Sequence, residues 1–241
     1  MDISQTLQAE KDNSYNIIYA DPPWAYNRNV GNGTLKRKNG TLHYPSMTKQ
    51  QLQDIGTHID RIAKKDAALL LWATMPLLPE AIELITAWGF KYKTCFVTWV
   101  KTTKDGKKPA FGVGYYTRSN AELCLLAIRG KFASYKKVIP EEEPRKPNVM
   151  SQIIHNDVVM EPKREHSRKP DIVRNMIVQL FGDLPRLEMF ARQSSPGWCI
   201  LGNQTDLFEN QQQLSELKKP KKKKKKPTPI NLDELILPHG I

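Results

Sequence analysis

The sequence NIIYADPPW, residues Asn16–Trp24, is the stretch of this 241-residue chain that is most informative about its fold and its site. Its first half is a short apolar run rich in β-branched and aromatic residues, which predicts a buried β-strand. Two prolines then end the strand, because proline cannot donate to a sheet ladder. Asp21 is therefore predicted at the carboxyl end of a strand, which is where open α/β sheets bind their ligands.

The turn after this strand carries groups that suit a planar base with an exocyclic amine. The carboxylate of Asp21 and a backbone carbonyl of the turn at Pro22 and Pro23 can each accept one amine hydrogen. The ring of Trp24 or of Tyr26 can stack on such a base. Taken alone, this short motif also fits a strand that simply stops at a proline turn.

Alternating strand and helix patterns predict an α/β fold with a doubly wound, mostly parallel sheet. Apolar periodicity, helix-terminal prolines and a glycine predict helices at residues 48–65, 79–88 and 170–182. Apolar runs predict further strands at residues 67–73, 94–100, 122–128, 187–190 and 198–201. Residues 135–165 are predicted to form an irregular crossing segment with room for one edge strand.

The composition is that of a globular protein and gives no sign of a membrane span or a metal site. Hydrophobic residues make up 39% of the chain and charged residues 26%. No apolar run approaches the roughly 20 residues that a membrane-spanning helix needs. The three cysteines lie far apart and are predicted to be reduced thiols. The five histidines lack the spacing of metal ligands, so no metal site is predicted.

Most of the net charge of +12 sits in one short lysine run between Lys218 and Lys226. Removing the eight lysines of this run leaves a net charge of +4. We therefore expect one folded domain over residues 1–208 and a disordered Gln- and Lys-rich basic tail over residues 209–241. The run suits nucleic-acid binding, a nuclear address or simple solubilisation, and the sequence leaves these open.

The order of several short motifs resembles that of the MT-A70 family of adenine methyltransferases. The Asp-Pro-Pro-Trp motif comes first, and three further elements, HSRKP, LEMFAR and LGNQ, come late, at residues 166–170, 187–192 and 201–204. The resemblance runs from about Asn16 to Asp206. It implies a Rossmann-like class I methyltransferase fold with a permuted, β-type motif order, in which the catalytic motif precedes the cofactor-binding elements.

The same resemblance implies a catalytic motif, a cofactor and its binding residues. The catalytic residues would be Asp21, Pro22, Pro23 and Trp24. The cofactor would be S-adenosyl-L-methionine, whose carboxylate Lys169 would grip. The implied cofactor-binding residues are Asp21, Lys169, Glu188, Arg192, Ser194, Asn203 and Gln204. Ser194 stands where relatives have another polar residue, and Glu122 matches an acidic family position whose role is not assigned.

Substrate contacts are expected from the loop that follows the first strand. Residues 27–40 are rich in Gly and Asn and carry four basic side chains, which could meet substrate phosphates or remain in solvent. The resemblance implies that Tyr44 lies against the target base. The candidate substrate-binding residues are Tyr26, Arg28, Lys36, Arg37 and Tyr44.

The favoured interpretation is that the protein is an S-adenosylmethionine-dependent methyltransferase that modifies the 6-amino group of adenine in DNA. The alternatives are the same reaction on RNA adenine, or a catalytically inactive nucleic-acid-binding subunit. The expected partner is a nucleic acid, with DNA favoured over RNA, and no membrane partner is expected. A homodimer or a complex with a related subunit is an additional possibility. We expect a cytoplasmic, nucleoid-associated protein in a bacterium or phage and a nuclear one in a eukaryote.

Overall fold

The computed structural model describes residues 3–25, 46–110, 116–117, 119–132, 157–162, 164 and 168–202. The first half of the chain forms α1 (Ile3–Ala9), β1 (Tyr15–Ala20), α2 (Lys49–Asp54), α3 (Gly56–Ile62), β2 (Ala63–Thr74), a 3₁₀ turn (Met75–Leu77) and α4 (Leu78–Ala87). The second half forms β3 (Lys91–Thr102), β4 (Ala121–Arg129), β5 (Val158–Pro162), α5 (Ile172–Phe181), β6 (Arg186–Met189) and β7 (Cys199–Leu201).

These seven strands form one sheet in the order β5-β3-β4-β2-β1-β6-β7. Every described pairing is parallel except those of β4 with β2 and β3. The carboxyl ends of the parallel strands and the amino end of β4 therefore lie along one edge, here called the carboxyl edge. The structure confirms the predicted α/β class with a mostly parallel sheet.

Helices cover both faces of the sheet, because successive strand residues point to opposite sides. In β1, Ile18 belongs to the core that packs under α1 to α4, together with Leu69 of β2. Its neighbours Ile17 and Tyr19 belong to the second core, which α5 covers. This is the doubly wound arrangement expected for strands that are apolar on both faces.

The predicted helix over residues 48–65 is wrong in its extent. Thr48 caps α2 in a capping box with Gln51, as its position suggests. A second helix, α3, then ends at Ile62, and β2 begins at Ala63, which pairs with Tyr15 of β1. Pairing with β1 at Ala63 and again from Ala68 thus includes the intervening Lys64 and Lys65 in the strand and overrides their helical pattern, because strand formation depends on the partner strand rather than on local periodicity.

Helix α1 was not predicted from the sequence. It has seven residues and buries only Leu7, so its own pattern is weak. Arg61 of α3 stabilises its end by donating from Nη2 to the Leu7 carbonyl at 2.7 Å and from Nη1 to the Glu10 carbonyl at 2.7 Å. A helix terminus needs such partners for its last carbonyls, and here they come from a distant part of the chain.

Strand β5 lies beside β3 at the end of the sheet, as expected for an edge strand within residues 135–165. The boundary near residue 208 and the basic tail over residues 209–241 lie outside the described residues. Among the helices that the structure describes, none has the length and apolar character that crossing a membrane requires.

Candidate active site

The Asp-Pro-Pro turn is held in place at the carboxyl edge by backbone hydrogen bonds. The Trp24 amide donates to the Pro22 carbonyl at 2.9 Å, and the Met47 amide donates to the Pro23 carbonyl at 2.7 Å. The segment just before α2 therefore contacts the turn directly. Asp21 follows the last residue of β1, so its carboxylate sits on a rigid support rather than on a free loop.

Trp24 lies in the core and not on the open rim. Its side chain is 8% exposed and packs in the core shared with α1 to α4. The indole Nε1 donates to the Trp72 carbonyl at 3.4 Å. In this structure Trp24 therefore anchors the turn that carries Asp21, and the structure does not present its ring as a stacking surface.

Four side chains of alternating charge meet beside Asp21, and we call them the charged row: Lys101, Glu122, Lys169 and Asp21. The Lys169 ammonium donates to Asp21 Oδ2 at 2.7 Å and lies 3.2 Å from Glu122 Oε2. The other Glu122 oxygen, Oε1, accepts from Lys101. Lys169 is 8% exposed, so its charge depends on these two carboxylates rather than on water.

The sheet topology brings the charged row together. Lys101 lies near the end of β3, and Glu122 lies near the start of β4. Because β4 runs opposite to its neighbours, Glu122 pairs with Trp99 of β3 and with Thr74 of β2 at the carboxyl edge. Lys169 reaches the same place from the segment just before α5.

Burial and pairing shift the pKa values of Lys169, Glu122 and Asp21. Burial alone would lower the pKa of Lys169, but Asp21 and Glu122 outweigh it and raise this pKa above its ordinary value. Burial would likewise raise the pKa of Glu122, yet Lys169 and Lys101 hold it at about 2. For Asp21 burial prevails over Lys169, and its pKa is raised. Asp21 is therefore a better proton acceptor than an ordinary aspartate.

The lowered pKa of Glu122 predicts a pH dependence of stability. Its folded pKa is about 2 against an ordinary value of 4.5, so its contribution is complete above pH 4.5 and is lost as the pH falls toward 2. In urea unfolding between pH 6 and pH 3, we expect Glu122→Gln to lose less stability on acidification than the wild-type protein. Parallel pH profiles for the two proteins would contradict the assignment.

A second ion pair lies deeper in the site, between α5 and β6. Arg174 donates from Nε to Glu188 Oε2 at 2.6 Å and from Nη2 to Glu188 Oε1 at 2.5 Å. Arg174 is 9% exposed and Glu188 is 6% exposed. Glu188 is one of the cofactor-binding residues that the resemblance implies, yet Arg174 occupies both oxygens of its carboxylate. The Arg174 guanidinium also lies 5.8 Å from the Tyr19 ring centroid.

Asp171 connects the segment before α5 with the loop after β6. Its Oδ2 accepts from Arg164 Nη1 at 2.6 Å and from Arg168 Nη2 at 3.1 Å. Its Oδ1 accepts from Arg174 Nη1 at 2.9 Å and from Gln193 Nε2 at 2.7 Å. Burial opposes ionisation, but the hydrogen bonds from Arg164 and Gln193 help to lower the pKa of Asp171. Asp171 therefore stays a carboxylate that orders three guanidinium groups.

The loop after β6 has a constrained backbone. Phe190 has a φ of +61°, which is uncommon for a residue with a bulky side chain. The Ala191 amide donates to the Leu201 carbonyl at 3.1 Å. A Cβ added to Gly202 would lie 2.0 Å from the Ala191 carbonyl oxygen, so only glycine fits there. This close approach places the start of the predicted Gly-Asn-Gln element next to Arg192.

The structure brings some of the predicted residues together and leaves others undescribed. Asp21 and Lys169 are in direct contact, and Arg192 and Ser194 lie in the loop after β6, where Arg192 is half-buried and Ser194 is exposed. Seven predicted site residues lie outside the described residues: Tyr26, Arg28, Lys36, Arg37, Tyr44, Asn203 and Gln204. In the described part of the chain, no three His, Cys, Asp or Glu side chains lie close enough together to hold a metal ion.

Sequence reasoning missed three contributors to the site, namely Lys101, Asp171 and Arg174. A signal was present for Arg174, because a charged residue on the apolar face of a helix needs a buried partner. Lys101 and Asp171 carry no comparable signal, since each lies in a polar segment whose contacts depend on the tertiary structure.

A family model described as MT-A70 matches residues 15–204. The type II methyltransferase M.MunI of a Mycoplasma species is 29% identical over 197 residues, which cover 76% of this chain and 75% of that protein. The MT-A70-like N(6)-adenosine-methyltransferase of Arabidopsis thaliana is 28% identical over 195 residues, or 79% of this chain and 24% of that protein. The human N(6)-adenosine-methyltransferase catalytic subunit METTL3 is 25% identical over 193 residues, which cover 79% of this chain and 28% of that protein.

The relatives differ in how much of their length the chain spans. It covers 75% of M.MunI but only 24% of the Arabidopsis protein and 28% of the human protein. The similarity to the eukaryotic proteins is therefore limited to a part of each.

Proposed function

The chain belongs to the MT-A70 family, and we propose that it transfers a methyl group from S-adenosyl-L-methionine to the 6-amino group of adenine in DNA. The observation that carries this proposal is the contact between Asp21 and Lys169 at the carboxyl edge, at 2.7 Å. This contact joins Asp21, the proposed catalytic carboxylate, to Lys169, the lysine proposed to bind the cofactor carboxylate. The similarity to M.MunI favours DNA as the substrate.

The chemistry of the site fits S-adenosyl-L-methionine. The amino-acid part of that cofactor carries one carboxylate and one ammonium group, and the site presents a lysine and an aspartate side by side. Two of the three Lys169 ammonium hydrogens serve Asp21 and Glu122, which leaves one for a cofactor carboxylate. Arg192 and Ser194 lie in the loop after β6, and we propose that they contact the rest of the cofactor.

The cofactor, when bound, supplies an electrophilic methyl group on a sulfonium. The 6-amino nitrogen of adenine is a weak nucleophile, because its lone pair is delocalised into the ring. Among the described residues, Lys169 engages Asp21 Oδ2, so Oδ1 is the oxygen that accepts an amine hydrogen. A carbonyl of the turn at Pro22 and Pro23 accepts the other hydrogen. These two acceptors turn the lone pair out of conjugation and hold the amine in a fixed orientation.

Asp21 also takes the proton that the amine loses after methylation. Its raised pKa makes this transfer more favourable than it would be to an ordinary aspartate. We propose that the target adenine leaves the base stack to reach this edge, because a paired base cannot present its amine to a pocket. Tyr26 and Tyr44 remain the proposed aromatic contacts of the base.

The decisive experiment is methyl transfer from labelled S-adenosyl-L-methionine to duplex DNA, single-stranded DNA and RNA, followed by nucleoside analysis. The proposal expects label in N6-methyladenine from DNA. Label found only in the RNA sample would mean that the substrate is RNA and not DNA. The similarity to the human and Arabidopsis N(6)-adenosine-methyltransferases favours that alternative. Failure to bind the cofactor would instead support a catalytically inactive nucleic-acid-binding subunit.

Lys169→Met is expected to weaken binding of S-adenosyl-L-methionine about 10- to 100-fold, the value of one hydrogen bond to a charged group. Isothermal calorimetry with the full chain measures the dissociation constant directly. Lys101→Met is the matched control, since it removes a lysine from the same charged row without touching Asp21. An unchanged dissociation constant in Lys169→Met would remove the cofactor role of this residue.

A further inference from the structure

The chain after β3 forms an ordered hairpin, residues 103–109, which we call the lysine hairpin. Thr102 and Pro109 form an antiparallel bridge, and the Thr103 amide donates to the Lys108 carbonyl at 2.8 Å. Gly106 turns the chain with a φ of +71°, which favours glycine. The Asp105 carboxylate accepts from the Lys107 amide at 3.3 Å and from the Thr103 hydroxyl. The hairpin therefore has a defined shape.

Three lysines project from this hairpin into solvent, namely Lys104, Lys107 and Lys108. Among the described residues, no ion pair joins any of them to a carboxylate. The Asp105 carboxylate is the only acidic group of the hairpin, and its hydrogen bonds face the turn backbone and Thr103. The hairpin thus presents a net positive surface that no described group of the protein neutralises.

This surface begins at the charged row. The Lys101 carbonyl accepts from the Ala110 amide at 2.7 Å, and the Lys101 amide donates to the Asn120 carbonyl at 2.8 Å. The side chain of the same residue pairs with Glu122, which contacts Lys169 and through it Asp21. The lysine hairpin therefore extends from the edge of the sheet where the proposed reaction takes place.

An exposed aromatic residue lies in the same connection. Tyr116 has a relative exposure of 101%, the largest among the described hydrophobic side chains. It lies between Ala110 and Asn120, both of which are hydrogen-bonded to Lys101. An exposed ring in the same connection as exposed lysines is a combination with which proteins stack on bases and track a phosphate backbone.

We propose that the lysine hairpin is a docking surface for the phosphodiester backbone of the nucleic-acid substrate. The inference rests on the proposed function, because it assigns the surface to the polymer that carries the target adenine. Lys104, Lys107 and Lys108 contact phosphates on one side of the target nucleotide, and Tyr116 stacks on a neighbouring base. The hairpin sets the position of the strand, while Asp21 selects the amine.

The test compares the wild-type chain with Lys104→Gln/Lys107→Gln/Lys108→Gln and with a control, Lys65→Gln/Lys91→Gln/Lys93→Gln. The control lysines are also exposed but lie near the starts of β2 and β3, at the opposite edge of the sheet. The basic tail is present in all three proteins, so its contribution cancels. Fluorescence anisotropy with labelled duplex DNA and with single-stranded RNA, without cofactor, gives the affinity at several salt concentrations.

We expect the hairpin variant to reduce the slope of log affinity against log salt by about 2 to 3, since each of the three lost phosphate contacts removes about 0.7 to 0.9. Its KM for the nucleic acid rises, while its kcat at saturating substrate and its affinity for S-adenosyl-L-methionine stay unchanged. The control keeps the wild-type slope. An equal slope in wild type and hairpin variant, or an equal loss in the control, overturns the proposal.

The same experiment separates this inference from the proposed function. If the hairpin variant loses nucleic-acid binding and the wild type transfers no methyl group, the docking surface is supported and the enzyme assignment is rejected. A slope change with RNA alone would support the surface and move the proposed substrate from DNA to RNA. If the wild type transfers methyl groups but the hairpin variant has the same salt slope, the enzyme assignment is supported and the docking surface is rejected.

Discussion

Asp21→Asn is expected to lower kcat for methyl transfer to adenine by about 100- to 1,000-fold, the usual effect of removing one electrostatic contact to a reacting group. Asparagine keeps the size of the side chain and can still accept from Lys169 at its amide oxygen. Its NH₂ group, however, cannot accept a hydrogen from the adenine amine, and it cannot take up the proton that the amine loses. Single-turnover transfer of a labelled methyl group measures the effect.

The control for this prediction is Asp60→Asn. Asp60 also pairs with a basic side chain, Arg129, at 3.0 Å, but it belongs to α3 and its side chain is 70% exposed. The same chemical change there should leave methyl transfer intact. Both variants should retain the wild-type melting temperature within a few degrees, so that a loss of activity cannot be a loss of fold. Wild-type activity in Asp21→Asn would refute the catalytic assignment.

Arg174→Met is expected to lower the free energy of unfolding by about 3 to 5 kcal/mol, the cost of leaving one member of a buried ion pair alone. Methionine fills much of the volume of arginine, so the main effect is electrostatic. Glu188 would keep a buried carboxylate without its two hydrogen bonds, and Asp171 would lose one of its four donors. Urea unfolding at neutral pH gives the free energy and shows whether the m-value stays constant.

Two further variants show whether the loss comes from the unpaired carboxylate. Arg174→Met combined with Glu188→Gln removes both charges and should recover part of the lost stability, since no buried charge is then left unpaired. Arg129→Met breaks the more exposed pair with Asp60 and should cost about 1 kcal/mol or less. If the double variant loses as much stability as Arg174→Met and Glu188→Gln lose separately, taken together, the two residues act independently.

The fold was largely predictable because its main signals are local. The apolar runs of β1, β2 and β4 and the periodicity of α5 each reflect the face that an element buries. The errors occurred where a distant partner decided the outcome. Residues 63–65 join β2 because β1 pairs with that strand, and α1 is held by Arg61.

The candidate site was predictable only in part. The resemblance pointed to both Asp21 and Lys169, and the structure brings these two side chains into contact. Glu122 stood out in the sequence without a role, and its role follows from the two lysines that flank it in the structure. Trp24 shows the opposite case, because a tryptophan next to the proposed catalytic carboxylate suggests a stacking surface, whereas the structure buries the ring in the core.

The strand β1, which ends just before Asp21, and the rigid turn after it follow from local sequence, because side-chain alternation and the fixed φ of proline act within a few residues. The charged row, in contrast, depends on tertiary contacts. Asp21 and Lys169 are 148 positions apart, and Glu122 reaches them only because β4 runs antiparallel between β2 and β3. Charges that are distant in the chain become partners when the sheet places them at one edge, where burial makes their pairing obligatory.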